Sequence, residues 1–283
     1  MKNKEQRTWI WKTIIKLKRQ LISFCLPLSV FRSPIIGLIV ASTSVYADAP
    51  EEWRLNFQEA STSVMQQVRD LHDLIMIILF LIALLVLVLL GIIIYKFRAA
   101  KNPTPSSRAH HTFLEIAWTA LPVVILLIIA LPSFKLMFYM SKATNPEMTI
   151  KVTGNTWYWN YDYPEHQVKF DSNMIPDKEL KPGQLRLLDV NHQMVVPVGT
   201  TIRLLFTSND VIHSWAVPSF GVKKDCIPGR LNESWIRVER EGTYYGQCSE
   251  LCGIGHGFMP IAVKAVSKKD FNAWIKESKA RFG

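Results

Sequence analysis

Long stretches of this 283-residue chain carry no charge, and the loop between two of them carries no acid. Residues 74–95 are 22 uncharged residues rich in Leu and Ile. That length crosses a hydrocarbon core of about 30 Å at about 1.5 Å per residue, and it argues against a buried helix of a soluble core. Residues 116–134 form a second uncharged run containing Pro122 and Pro132, which neighbouring helices tolerate within a membrane. Between the runs, residues 96–111 hold Lys96, Arg98, Lys101 and Arg108 and no Asp or Glu. The positive-inside rule places that loop in the cytoplasm and everything after Lys135 on the outer side.

There is no internal repeat and no low-complexity segment, which excludes a solenoid. A nucleic-acid surface also lacks support, although Lys and Arg number 33 against 23 Asp and Glu. Residues 1–47 hold eight basic residues and one acid, whereas residues 145–283 hold 17 and 15. The basicity therefore belongs to the start of the chain. Those first 47 residues read as an export signal: clustered charge, an apolar region, and a small-x-small site at Val45-Tyr46-Ala47. An uncleaved anchor is the alternative, and both put residue 48 outside. Cysteine is scarce, at four residues. Cys25 leaves with the signal if cleavage occurs. Cys226 is an odd thiol in an exported domain, read as a small buried hydrophobe.

The other two cysteines stand in the most informative stretch, residues 244–260. It spaces Cys248, Cys252, His256 and Met259 as Cys-x3-Cys-x3-His-x2-Met, and a further histidine, His213, lies upstream. Thiolates, imidazoles and a thioether favour copper over magnesium, calcium or manganese. Zinc is an alternative, but it has no need of the methionine and favours other spacings. A Cys248–Cys252 disulfide is a second alternative for an exported domain. One-copper blue sites use a single cysteine with two histidines and a weak methionine; the doubled cysteine here suggests two coppers.

Several separate motifs in one order resemble the cytochrome c oxidase subunit 2 family, from about Asp70 to the end of the chain. They are Glu-x-x-Trp-Thr at 115–119, Trp-Tyr-Trp at 157–159, the run Leu-Lys-Pro-Gly-Gln-Leu-Arg-Leu-Leu at 180–188, His-Ser-Trp-Ala-Val-Pro-Ser at 213–219, Ile-Pro-Gly-Arg-Leu-Asn at 227–232, and the cysteine loop. The resemblance implies a dinuclear copper A centre with Cys248 and Cys252 as bridging thiolates and one imidazole per copper from His213 and His256. It implies Met259 and the Glu250 carbonyl as weak ligands, and the Glu250 side chain at a magnesium ion on the boundary with subunit 1. Trp157 takes the place where electrons enter from cytochrome c, and Glu115 the mouth of a proton path. The resemblance implies that Asp225 and Arg230 face subunit 1, with Arg230 near haem propionates; a plain surface salt bridge between them is the alternative. Haem a and the haem a3–copper B pair belong to subunit 1. Thr156 stands where the family commonly has Gln. An acidic dock for cytochrome c falls on Asp162 and Asp210. The implied assembly includes subunits 1 and 3 and membrane lipids, in a bacterial inner membrane with the copper domain in the periplasm.

The expected fold is membrane-anchored and mainly β. The divisions are an export signal (1–47), an outer lead-in (48–73), a transmembrane helix (74–95), a cytoplasmic loop (96–111), a second helix (112–140), a copper domain (145–267) and a closing helix (268–283). Strands are expected at 149–153, 157–163, 185–190, 201–208, 234–238, 243–247 and 260–266, separated by turn residues. The resemblance narrows these to a Greek-key β-sandwich of cupredoxin type. The closing helix turns Phe271, Trp274 and Ile275 inward. Three rivals remain. A quinol oxidase subunit would lack the ligands, a nitrous oxide reductase copper domain would lack the Glu-x-x-Trp-Thr span, and a copper chaperone would need neither the spans nor His256 with Met259.

Overall fold

The computed structural model describes residues 49–104, 106–141 and 143–283. The export signal and Cys25 lie outside the described residues. Two helices come first, α1 (Ser63–Lys96) and α2 (Thr112–Ser141), both long and apolar enough to cross a membrane. Helix α2 runs unbroken through Pro122 and Pro132. The uncharged run starts at Leu74, but α1 starts eleven residues earlier, at Ser63. Thr62 sets that start: its backbone is extended and its side chain accepts a hydrogen bond from the Met65 N–H, satisfying one of the free donors of the first turn. At about 1.5 Å per residue the helix is roughly 50 Å long, so it overshoots a membrane core. The surplus reaches the β-domain.

That domain is two five-stranded sheets. The strands are β1 (Met148–Asn155), β2 (Tyr158–Tyr163), β3 (Val168–Ser172), β4 (Met194–Pro197), β5 (Ile202–Ser208), β6 (His213–Val217), β7 (Val222–Cys226), β8 (Asn232–Ile236), β9 (Gly242–Cys248) and β10 (Pro260–Val266). One sheet runs β3-β2-β1-β5-β8 and the other β4-β10-β9-β6-β7. The β1–β5 and β4–β10 pairs are parallel and the rest antiparallel. Alternation places Trp159, Tyr161 and Tyr163 on the inner face of the first sheet, fully buried, where they share one core with Phe206, Trp215, Phe220 and Tyr244. The two sheets form a sandwich, as the turn-punctuated strands suggested, and it is cupredoxin-like, as the resemblance implied. Helix α3 (Lys268–Phe282) closes it, with Phe271 and Ile275 buried and Trp274 packed against the core. Cys226 is a free, fully buried thiol.

Four strands escaped the sequence reading, and one expected strand is not a strand. Residues 185–190 form a turn: Leu187 has a positive φ of 64°, and the Leu188 and Asp189 N–H groups both donate to the Leu185 carbonyl. The Asp189 carboxylate accepts from the Leu185 N–H, closing the turn, and only Val190 pairs, in a bridge with Met174. Strands β3, β4, β6 and β7 were missed because none shows a long alternation. β6 is buried at all five positions, β4 is four residues ending in Pro197, and β7 is largely polar. Strand β8 lies two residues before its expected place.

The hairpin is fastened to the sandwich at two points. Before α1, the Ser61 N–H donates to the Ser219 carbonyl at 3.0 Å, the Thr62 hydroxyl to the Phe220 carbonyl at 2.7 Å, and the Glu239 N–H to the Ser61 carbonyl at 3.0 Å. At the end of α2, the Trp235 indole N–H donates to the Tyr139 carbonyl at 2.9 Å. Gly221 sits at the first point with φ +68°, and a Cβ there would lie 3.0 Å from the Met65 backbone. Gly221→Ala combines a left-handed backbone with that close approach. It is expected to cost about 1–3 kcal/mol of stability, read as a lower thermal midpoint of the detergent-solubilised chain. An unchanged midpoint would mean that the start of α1 yields freely.

Candidate metal centre

The residues singled out in the cysteine loop meet at one end of the sandwich. Cys248 ends β9, opposite Trp215 of β6, and His213 opens β6, opposite Cys226 of β7. Cys252 lies on the loop that follows, and His256 begins the short 3-10 turn His256–Phe258. Met259 precedes β10. The loop reverses at Gly253, with φ +113°. His213, Cys248, Cys252 and Met259 are buried, while His256 is half-buried.

The two sulfurs stand 3.9 Å apart and are free. A disulfide requires about 2.05 Å between sulfurs, so these are two separate thiols. Each faces its own imidazole: His213 Nδ1 is 4.0 Å from Cys248 Sγ, and His256 Nδ1 is 3.7 Å from Cys252 Sγ. Each also has a third neighbour, the Glu250 carbonyl at 3.4 Å from Cys248 and the Met259 thioether at 3.5 Å from Cys252. The ligand atoms of His213, Cys248 and Cys252 lie within 4.8 Å of one another. This set of soft and borderline donors fits copper.

The thiols differ electrostatically. Burial works against the Cys248 thiolate, but hydrogen bonding with His213 and with the backbone at Ser214 and Glu250 overrides it and lowers the pKa to about 6. Cys252 is pushed up to about 12 by burial and by the charge on Cys248. The pair thus gives up one proton readily and the second only when positive charge arrives.

Aromatic side chains hold the loop. The Trp157 indole N–H donates to the Cys252 carbonyl at 3.1 Å, and the Trp159 indole N–H to the Met259 carbonyl at 3.1 Å. The Trp157 ring lies directly on the loop backbone, because a Cβ at Gly255 would run into it. Trp157 precedes β2 and is 37% exposed, unlike the fully buried Trp159.

Asp210, expected near His213 as a docking acid, is bonded to that histidine and to Thr156. One carboxylate oxygen is 2.8 Å from His213 Nε2, while the other accepts from the Thr156 N–H at 2.7 Å and the Thr156 hydroxyl at 2.8 Å. Burial opposes its ionised form, but these bonds and one from the Val211 N–H hold its carboxyl below the usual range. Thr156, the departure from the family pattern, is therefore hydrogen-bonded through this acid. An aspartate three residues before a metal-facing histidine was the available signal. Asp162 sits elsewhere, at half depth on β2, across from Lys151 and Lys169.

Of the other singled-out residues, Glu250 lies beside Cys248 through its carbonyl alone. Glu250 and Arg230 are exposed. Asp225 accepts from the Ser214 hydroxyl at 2.8 Å and makes no ion pair with Arg230 among the described residues. Glu115, in the first turn of α2, accepts from the His111 N–H at 3.1 Å.

A two-helix hairpin carrying a cupredoxin-like sandwich, with two cysteines and their histidines gathered at its loop end, defines a membrane-anchored copper-binding protein. Comparison with known proteins narrows the class. Residues 148–266 match the family model for the periplasmic domain of cytochrome c oxidase subunit II, and residues 50–136 match the model for its transmembrane domain. A probable cytochrome c oxidase subunit 2 of Rickettsia bellii is 48% identical over 242 residues, covering 85% of this chain and 90% of that one. The cytochrome c oxidase subunit 2 of Oenothera berteroana is 49% identical over 248 residues, covering 85% of this chain and 96% of that one. Among solved structures, the periplasmic domain of subunit II of cytochrome oxidase from Bradyrhizobium japonicum aligns at 48% identity with a TM-score of 0.47, covering 50% of this chain and all of that one. The chain belongs to the cytochrome c oxidase subunit II family, a component of an oxidoreductase complex.

The Asp210 geometry makes a direct prediction. Asp210→Ala leaves His213 Nε2 and the Thr156 N–H without their acceptor. It should weaken copper binding by about tenfold to a hundredfold, while thiol titration of the metal-free protein still finds both cysteines reactive. Unchanged copper affinity in a competition titration would show that the carboxylate does not orient the imidazole.

Proposed function

We propose that this chain is the electron-accepting subunit of a proton-translocating cytochrome c oxidase in a bacterial inner membrane, with its copper domain on the periplasmic side. It takes electrons from reduced cytochrome c and delivers them to haem a of subunit 1, in a complex that also contains subunit 3 and reduces oxygen to water. The observation that carries this reading is the pair of unlinked thiols 3.9 Å apart, each facing its own imidazole. His213, Cys248, Cys252 and His256 would hold a dinuclear copper centre, with weaker contributions from Met259 and the Glu250 carbonyl. When bound, such a pair supplies a one-electron carrier with little geometric change.

The chain's own residues supply the route and the enclosure. Trp157 is exposed on one side and donates to the Cys252 carbonyl on the other, so a docked cofactor edge meeting this ring is one hydrogen bond from the backbone of a ligand. Trp159, Tyr161 and Trp215 close the inner side against water. Asp210 keeps the His213 ring turned with Nδ1 toward sulfur. At the far end of the hairpin, Glu115 stands on the basic-loop side, where it would admit protons toward subunit 1. The exposed Glu250 carboxylate would reach magnesium at the subunit boundary, and the exposed Arg230 would meet haem propionates.

The competing reading is a copper chaperone, which binds a single ion. Metal analysis separates the two. Residues 145–283 produced alone and loaded with copper should hold two ions per chain and turn purple from thiolate-to-copper charge transfer. Uptake of one copper, or of one zinc in preference to copper, would overturn the dinuclear reading.

A further inference from the structure

The segment before α1 carries apolar side chains that no described part of the chain covers. Trp53 is 95% exposed, Leu55 92% and Phe57 40%. They alternate with Arg54 and Asn56. The segment is fastened to the sandwich at both ends. Ala49 packs beside Val190, Tyr245 and Ala262, Glu59 pairs with Arg240 at 3.0 Å, and the Ser61 N–H donates to the Ser219 carbonyl. Between those points the chain bends at Trp53 and Asn56, with φ of 59° and 79°. An indole and a leucine held at a defined place with nothing over them mark a contact surface.

The hairpin sets the level of that surface. Phe57 meets His72 of α1 edge to face, with ring centroids 4.7 Å apart. His72 comes just before Leu74, where the uncharged run of α1 begins. On α2 the uncharged run ends at Phe134, next to Lys135. Leu71 of α1 and Leu136 of α2 line one groove, so the two runs end at the same level. That level is the outer boundary of the hydrocarbon core. From Ser63 to His72 the helix descends about 14 Å at about 1.5 Å per residue. Phe57 therefore lies well below the start of α1, and residues 58–61 climb back to the sandwich. Trp53 and Leu55 belong to the same excursion toward the membrane boundary.

We infer that residues 53–57 form a second membrane contact of this chain, in which Trp53 and Leu55 enter the outer leaflet where headgroups meet acyl chains. An indole suits that depth, because its ring is apolar while its N–H still reaches hydrogen-bonding groups. The neighbouring charges keep the contact shallow. Glu51 pairs with Arg54 at 3.4 Å and Glu52 is exposed, so the backbone stays among the headgroups. Because both ends of the segment are bonded to the sandwich, the contact braces that domain against tilting over the membrane. This depends on the membrane anchor and not on which metal the cysteine loop holds.

The test uses the intact oxidase complex in phosphatidylcholine vesicles, with a nitroxide attached through Leu55→Cys. The position is exposed, so the substitution leaves the fold undisturbed. Relaxation of the label by oxygen, which concentrates among acyl chains, is compared with relaxation by a water-soluble nickel chelate. A label through Lys276→Cys, on the exposed side of α3, gives the water reference, and a lipid labelled near the top of its acyl chain gives the membrane reference. Unsubstituted complex taken through the same labelling gives the background. The oxygen-to-nickel ratio at 55 should exceed that at 276 several-fold and approach that of the lipid. Bromine on the acyl chains should also quench the tryptophan emission of wild type more than that of Trp53→Phe. A label at 55 that nickel relaxes as strongly as at 276 overturns the inference, since the segment then stands in water. A label reached by neither reagent overturns it too, since another subunit then covers the segment. Equal quenching of wild type and Trp53→Phe is the third contrary result.

Discussion

Two sulfurs that stand side by side without joining are the constraint on which this structure turns. At 3.9 Å, Cys248 and Cys252 are too far apart to be bonded and close enough to serve one metal centre. Their separation is set by elements that approach from different parts of the chain. Cys248 is fixed by β9 against β6, while Cys252 is carried on the loop that turns at Gly253. Two indoles, one just before β2 and one within it, then pin that loop by its carbonyls, Trp157 at Cys252 and Trp159 at Met259. Both bonds run from an indole N–H to the loop's main chain, so groups that are not ligands hold the loop's path. Preorganisation of this kind suits a site whose bound group must change little when its charge changes.

Asp210 extends that constraint outward. A single carboxylate joins the imidazole of His213 to the backbone and hydroxyl of Thr156, one residue before the exposed indole. The metal-facing side and the surface-facing side of the site are thereby tied to one charged group. Its position three residues before His213 follows from the tight turn between β5 and β6. Its reach to Thr156 depends on the β1–β2 connection lying alongside that turn. The outcome is a site in which ligand orientation and the setting of Trp157 are coupled, while Asp162, the other acid considered for docking, is placed among lysines on the sheet face.

Much of this arrangement was legible in the residues, and what was not has identifiable causes. The cysteine loop declared itself by spacing, and the uncharged runs declared the helices. The long alternation at 157–163 declared a strand with its inner face. The start of α1 was hidden because Arg69, Asp70 and Asp73 make residues 63–73 look like a polar lead-in, although they continue one helix capped by Thr62. Residues 185–190 look like a strand by composition, but the Asp189 side chain captures the Leu185 N–H and closes a turn, a local competition that periodicity does not register. Strand β6, which carries His213, is buried on both faces and so shows no alternation. The double role of Asp210 was beyond sequence reasoning, since Thr156 is 54 residues away and meets it only through the closed sandwich.

The hairpin and the sandwich are joined by main-chain bonds at Ser61, a hydroxyl bond from Thr62 and an indole bond from Trp235 to the Tyr139 carbonyl. The metal end is therefore held in a defined relation to the two helices. The two thiols and their two imidazoles are proposed to hold a copper pair sharing one unpaired electron. Electron paramagnetic resonance of the copper-loaded, singly oxidised protein at low temperature tests it most directly. An electron spread equally over two copper nuclei gives the hyperfine pattern of two equivalent nuclei, and that is the predicted result. A pattern of a single copper nucleus would contradict the account, whatever the total copper content.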